Sequence, residues 1–344
     1  MLKKSVFVAG LAAAGLMLTA CSGAADKPAA SGGDFVYITS DPIGVNEFLK
    51  SGKTGIEAAA KTHGVASQTF ESRTDEERRS NLEAAVAKNP AVTVMLGFQF
   101  ADMASEFATQ YPDQKFLLID AMPEGELPEN LYTATFREQE PSYLLGIEAG
   151  TLTESNKVGS VVSLDIPLLK KYSAGFYEGA SSVNSELGAD QPQVIGGDNA
   201  FADTARAKEQ ALAFVAGGID QVFAVGAAAN GGIFEAAAEK NFFAYGVDAN
   251  QCQMAPGNVV DGTLKAVDVV VTTVVDEILA GKSNADATNS FGLKEGGMNV
   301  VSLADGAAES GCTVMENAEL LKTITQAKQD IIDGKITVAD PSAE

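Results

Sequence analysis

Histidine is nearly absent from this chain: His63 is the only one among 344 residues. It stands just before Gly64 at an apparent helix end, where facing the helix dipole is its default role, so a Ser-His-Asp relay has no usable base. With no second histidine and no cluster of cysteines, a transition-metal site has little to be built from. Basic residues are scarce too, 24 Lys and Arg against 46 Asp and Glu, which gives a formal charge of −22. That balance argues against a nucleic-acid polymer as partner, because such binding depends on clustered Lys and Arg. Long apolar runs are also missing. The longest stretch, from Val6 to Leu18, falls short of the ~20 residues of an ordinary spanning helix.

That stretch follows Lys3 and Lys4 and ends in Leu18-Thr19-Ala20-Cys21. A charged start, a short apolar core and small residues before a cut are the marks of a secretory signal peptide over residues 1–20. Small residues directly before cysteine resemble the bacterial lipoprotein cleavage box, so Cys21 becomes the lipid-modified first residue; the plain alternative is an ordinary signal with an incidental cysteine. Residues 21–33 are small, polar and rich in Gly and Pro, a flexible tether. The expectation is a body held on the extracytoplasmic face of a cell membrane by lipid. Without Lys3 and Lys4 the mature charge is about −24. Cys252 and Cys312 remain, and an exported compartment permits a disulfide between them, with two free buried thiols as the alternative.

The body, 46% hydrophobic over the whole chain, has enough apolar residues for one large or two medium cores, and the usual domain sizes favour two. Strand-like and helix-like segments alternate. Strands are expected at 35–38, 65–70, 91–97 and 115–120, with helices at 48–62, 75–88 and 103–111. A long helix at 138–151 precedes a second series: strands at 158–162, 193–195, 221–225 and 241–248, helices from 168, 204 and 230. Repeated βα units with short connections imply parallel sheets covered by helices. After Asp248 the alternation weakens. Residues 259–280 read as one long helix, short strands follow near Phe291 and Val300, and a last helix spans 318–332. The organisation expected is two lobes, 34–153 with 252–286 and 154–251 with 287–338, around a cleft.

Two fragments invite a nucleotide-enzyme reading and both fail. Gly52-Lys53-Thr54 has Glu47, and Gly281-Lys282-Ser283 has Asp276, where the phosphate-cradling loop requires glycine, and neither follows a strand. No G-x-S-x-G elbow is present. Asp198, Asn199 and Asp203 suit turns and a helix cap better than a glycosidase carboxylate pair. No cofactor is called for, and the chemistry on offer is that of holding. The segment Asn241-Phe242-Phe243-Ala244-Tyr245-Gly246-Val247-Asp248 is an apolar run that stops on an acid. In open α/β sheets ligands bind at the carboxyl ends of strands, so Asp248 is a candidate grip for a polar solute, with an Asx-turn or helix cap as the plain alternative.

Several blocks carry a resemblance. They are Gly97-Phe98-Gln99-Phe100-Ala101-Asp102, Tyr111-Pro112-Asp113-Gln114-Lys115-Phe116 leading to Ile119-Asp120, and Phe136-Arg137-Glu138-Gln139-Glu140-Pro141-Ser142-Tyr143-Leu144-Leu145-Gly146. Lys157-Val158-Gly159 with Asp165-Ile166-Pro167-Leu168, then Gly246-Val247-Asp248, then Leu264-Lys265-Ala266-Val267-Asp268 with Phe291-Gly292-Leu293-Lys294 follow in order. Over nearly its whole mature length the chain resembles the basic membrane protein (Bmp) lipoproteins, substrate-binding components of ABC transporters similar to purine nucleoside receptors.

The resemblance implies a type I periplasmic-binding-protein fold, α/β, with two Rossmann-like lobes, parallel sheets and a hinged cleft. It implies a purine nucleoside as ligand and an ABC permease as partner. By position, Asp248 matches an acid that grips ribose hydroxyls, Lys265 a basic residue near the same sugar, and Asp120 an acid at the base edge. Phe48 and Phe201 match aromatics on opposite lobes, and Gly226 falls near a glycine whose backbone approaches the ligand. Leu49 departs from the pattern, where many relatives have a base-binding asparagine, and the loop after the first strand is altered. Asp41 or Asn46 is the substitute. A sensor lipoprotein feeding a membrane receptor is the alternative of a different class; a nucleoside hydrolase lacks its acidic calcium cluster.

Overall fold

The computed structural model describes residues 33–189 and 191–342. The signal peptide at 1–20, the lipidation candidate Cys21 and the tether through residue 32 lie outside the described residues.

Local chemistry sets the elements. Buried Phe35, Val36, Tyr37 and Ile38 make β1 (Phe35–Thr39), a strand covered on both faces. Asn46 caps α1 (Glu47–His63) by accepting from Leu49 N, and Gly64 in the left-handed region ends it. β2 (Ser67–Phe70) follows, then α2 (Asp75–Val86), with Thr74 as cap and three acids in its first turn. β3 (Val92–Leu96), α3 (Ala101–Gln110), β4 (Phe116–Ile119) and β5 (Leu131–Phe136) complete the first series. The second comprises α4 (Gln139–Leu152), β6 (Lys157–Val162), α5 (Pro167–Val183), β7 (Gly188–Ala189), β8 (Gln193–Val194), α6 (Thr204–Ala216), β9 (Gln221–Val225), α7 (Asn230–Lys240), β10 (Phe243–Gly246) and β11 (Val259–Lys265). Then come α8 (Val267–Leu279), β12 (Ser290–Phe291), β13 (Met298–Val300) and α9 (Ala318–Ile332).

Two sheets result. The first is parallel throughout, in the order β12-β5-β4-β3-β1-β2. The second runs β13-β11-β10-β9-β6-β7, with β8 also on β6, and only the β11–β13 pair is antiparallel. Apolar faces of α1 and α8 cover one side of the first sheet, and α2 and α3 the other. The second sheet has a core of its own, into which α4, α5, α7 and α9 pack. This is the α/β architecture of two parallel-dominated lobes that the sequence implies.

Strand pairing corrects four points of the sequence reading. Residues 259–280 are not one helix: Val259–Lys265 is a strand between β10 and β13, and the helix begins at Val267. Val260, Leu264, Val267 and Val271 keep a helical spacing, so the apolar pattern runs on across the break. β5 was not expected. α4 belongs with the second core, because glycines let it lie against α5: a Cβ on Gly146 would sit 2.1 Å from Phe176 O, and one on Gly179 2.0 Å from Tyr143 O. β12, expected in the second lobe, pairs with β5 in the first sheet. The chain thus passes between sheets at 136–139, 265–267 and 291–298. Cys252 and Cys312 are joined in a disulfide.

Candidate ligand cleft

A cleft of about 330 Å³ opens where loops after the carboxyl ends of β1, β3, β4, β9, β10 and β11 meet. Asp41, Asn46, Phe48, Asp120, Phe201, Asp248 and Lys265 all line it. Gly226 does not, although Val225 and Ala227 beside it do. Its N–H donates to Asn230 Oδ1 at 2.7 Å, and Asn230 Nδ2 donates to Ala224 O and Gln251 Oε1, both at 3.0 Å. The glycine's amide is spent on bracing its own loop.

Asp248 is held in the left-handed region, φ 69°, two residues after the end of β10. That twist turns the carboxylate away from a regular strand continuation, and Tyr172 on α5 donates its hydroxyl to Asp248 Oδ1 at 3.2 Å. Burial pushes the Asp248 carboxyl up, and the nearby Lys265 ammonium and the Tyr172 hydrogen bond oppose that. Burial likewise pushes the Tyr172 hydroxyl up, reinforced by the Asp248 carboxylate, so it remains a donor.

Lys265 ends β11 and is 4% exposed. Its Nζ lies 2.6 Å from Asp120 Oδ1 and 3.0 Å from Glu138 Oε1. The ammonium also stands 4.5 Å from the centre of the Phe136 ring, 5.1 Å from Phe48 and 5.9 Å from Tyr172. Burial alone would pull the Lys265 pKa down, but Asp120, Glu138 and Asp248 more than reverse it and hold it above the ordinary value. Glu138, fully buried, is pushed up by burial against the pull of Lys265; Lys171 on α5 lies 3.4 Å from its other oxygen. Asp120 thus has one oxygen on Lys265 while it lines the cleft.

The opposite end is built from the loops after β1 and β3. Gln99 Nε2 donates to Asp41 Oδ2 at 3.3 Å, and Arg78 Nη2 lies 3.8 Å from Asp41 Oδ1. Asn46 spends its Oδ1 capping α1. Phe98 faces Phe201 with ring centroids 6.5 Å apart and planes at 49°, and Phe48 lines the same cleft. The charged lining side chains are three acids and one lysine, and the lysine is already committed to acids. An anionic solute meets repulsion here; a neutral one bearing hydroxyl and N–H donors meets acceptors.

Phe98, Gln99, Glu138 and Tyr172 were not singled out from sequence. The first three stand inside the quoted blocks, so the signal was there without a role attached. Tyr172 sits on an amphipathic helix, where an aromatic reads as core.

A family profile described as Bmp, ABC transporter substrate-binding protein PnrA-like, matches residues 35–340. The chain is 27% identical over 326 residues to an ABC transporter nucleoside-binding protein, BmpA, of Lactococcus lactis, covering 88% of each. It is 28% identical over 276 residues to an uncharacterized lipoprotein of Pyrococcus furiosus, covering 77% of this chain and 69% of the other. Among solved structures, an ABC transporter solute-binding protein of Aeropyrum pernix superposes with a TM-score of 0.74 at 26% identity, covering 90% of this chain and 94% of that one.

Proposed function

Because the chain belongs to the Bmp family of PnrA-like ABC transporter substrate-binding proteins, we propose that it is a lipid-anchored extracytoplasmic receptor that binds a purine nucleoside and hands it unchanged to a membrane permease. The observation that carries this reading is the arrangement at the end of β10: Asp248, hydrogen-bonded by Tyr172, beside Lys265 in a cleft whose wall also carries the rings of Phe48, Phe98 and Phe201. A carboxylate accepts two vicinal hydroxyl protons at once, each a charge-assisted hydrogen bond of ~1.5–3 kcal/mol. The rings of Phe48, Phe98 and Phe201 offer flat apolar surface to a base, and stacking contributes ~1–3 kcal/mol per aromatic. The nucleoside-binding relative from Lactococcus lactis supports the ligand class. The anchor rests on Cys21 and its preceding residues, and among the described residues no helix is long and apolar enough to cross a membrane.

Calorimetric titration with inosine, ribose and inosine 5′-monophosphate tests the reading. Inosine is expected to bind, ribose more weakly for want of stacking, and the monophosphate least because of the acidic lining. No heat from any nucleoside, or tighter binding of the monophosphate, would defeat it.

A further inference from the structure

β9 and β10 run side by side as far as the cleft, where side chains take over from their backbone ladder. Phe243 N donates to Asp220 O at 3.0 Å, and Phe243, Ala244 and Tyr245 pair with Gln221, Val222 and Phe223. Rungs of a parallel ladder advance two residues on each strand, so the series next reaches Val247 N and Ala224 O. Each of those two atoms has a side-chain amide as its partner. Val247 N donates to Gln251 Oε1 at 3.1 Å, and Ala224 O accepts from Asn230 Nδ2 at 3.0 Å. Asn230 Nδ2 spends its second hydrogen on Gln251 Oε1, also at 3.0 Å. A pair of amides thus stands in place of a rung and holds the two strand ends apart.

The surroundings fix this pair. Asn230 is fully buried at the start of α7, and its Oδ1 accepts from Gly226 N at 2.7 Å. Gly246 makes room for Gln251, since a Cβ there would stand 2.6 Å from Oε1. The backbone of Gln251 is anchored on either side, by Asn250 Nδ2 donating to Ser310 O at 3.1 Å and by the Cys252–Cys312 disulfide. Asn230 therefore braces the loop after β9, whereas Gln251 braces the residue directly before Asp248. Beyond it, Lys265 N donates to Asp248 O at 3.1 Å, so the left-handed turn of the acid is gripped before and after.

We infer that Gln251 is a positioning residue for Asp248: its Oε1, held by Asn230, fixes the Val247 amide and with it the direction from which the carboxylate meets a pair of ribose hydroxyls. The inference rests on the nucleoside reading above and goes beyond it in naming what aims the acid. Gln251 is not among the residues that line the cleft, so its effect on the sugar passes through Asp248.

Titration of the intact chain with inosine and with 2′,3′-dideoxyinosine, which lacks both hydroxyls, tests it. The unaltered chain is expected to bind inosine about tenfold or more tighter than the dideoxy compound. Gln251→Met is close in shape, but its sulfur is a weak acceptor. It should cut that margin to about threefold or less while dideoxyinosine keeps its strength within about threefold. Gln251→Glu retains an oxygen for Val247 N and Asn230 Nδ2 and should retain the margin. A merely structural role would weaken both ligands together and leave their ratio where it was. That result, an undiminished margin in folded Gln251→Met, or a margin lost in Gln251→Glu overturns the inference while leaving the nucleoside reading intact. Should the Met variant fail to fold, the Glu variant decides alone. Equal affinities in the unaltered chain also overturn the inference, and binding of neither compound removes both it and the nucleoside reading.

Discussion

Lys265 Nζ and Asp120 Oδ1 lie 2.6 Å apart, yet the two residues end strands of different sheets. With Glu138 on the crossing into α4, they tie the two lobes together at the floor of the cleft. Removing one partner of a buried pair leaves the other uncompensated, at a cost of about 3–5 kcal/mol. Lys265→Met should therefore lower the free energy of unfolding by about that much. Adding Asp120→Asn should return part of the loss, because one of the two stranded carboxylates is gone. Denaturant titration of the single and double variants reads both effects; a Lys265→Met chain as stable as the original would show that the pair bears no net load.

Asp248 is expected to affect binding far more than folding. Its carboxylate reaches the cleft, and its described side-chain hydrogen bond is that from Tyr172. Asp248→Ala should weaken nucleoside binding by about 2–3 kcal/mol, the worth of a charge-assisted hydrogen bond or slightly more. Unchanged calorimetric affinity would move the sugar away from β10.

Phe48 offers a contrasting case. Its ring covers the Lys265 ammonium at 5.1 Å and packs on the core under α1 from a half-buried position. Phe48→Ala is expected to weaken nucleoside binding by about 1–3 kcal/mol, the stacking range. The empty form should melt at nearly the original temperature. If it melts several degrees lower, the ring belongs to the core.

What could be read in advance follows from how local the signal is. The helix at 318–332 was legible to the residue because Asn317 caps it and Asp333-Gly334 closes it, all within its own stretch of chain. The acid ending the Gly246-Val247-Asp248 strand was legible because an apolar run stops on it. β11 was not, since valines on both sides of Ala266 give one continuous apolar pattern, and only pairing with β10 and β13 decides between strand and helix. Gln99 was not legible as a cleft residue for a similar reason. Its partner Asp41 is 58 residues away and meets it only once β1 and β3 are paired.

The Cys252–Cys312 bond closes a loop of sequence separation 60, joining the segment after β10 to the segment before α9. The chain-entropy argument gives a loop of that size about 4 kcal/mol of stabilisation. Cys252→Ser with Cys312→Ser should lower the unfolding free energy by roughly that amount, and a reductant should do the same to the unaltered chain and nothing to the variant. A reductant effect on the variant would place the sensitivity elsewhere.

Stability should also depend on pH through a pair remote from the cleft. Glu148 on α4 and Asp261 on β11 are both fully buried. Asp261 Oδ1 accepts from Gly262 N at 2.8 Å and Ser302 N at 3.1 Å, which leaves its other oxygen and both of those on Glu148 without a protein donor among the described residues. A proton on Glu148, donated to Asp261, fills that gap. Burial, reinforced by the Asp261 charge, pushes the Glu148 carboxyl well up, and burial pushes Asp261 up to about 6. The folded chain thus holds these protons more tightly than the unfolded one. Their stabilising contribution is complete below the ordinary carboxylate value near 4 and is lost as pH rises through about 6, by on the order of 3 kcal/mol for Asp261. Glu148→Gln supplies a permanent donor to Asp261 and cannot ionise, so it should gain on the original chain as pH is raised from 5 to 8. Thermal melts of both proteins across that range check the sign: a difference that stays flat, or runs the other way, would mean that no proton is shared between α4 and β11.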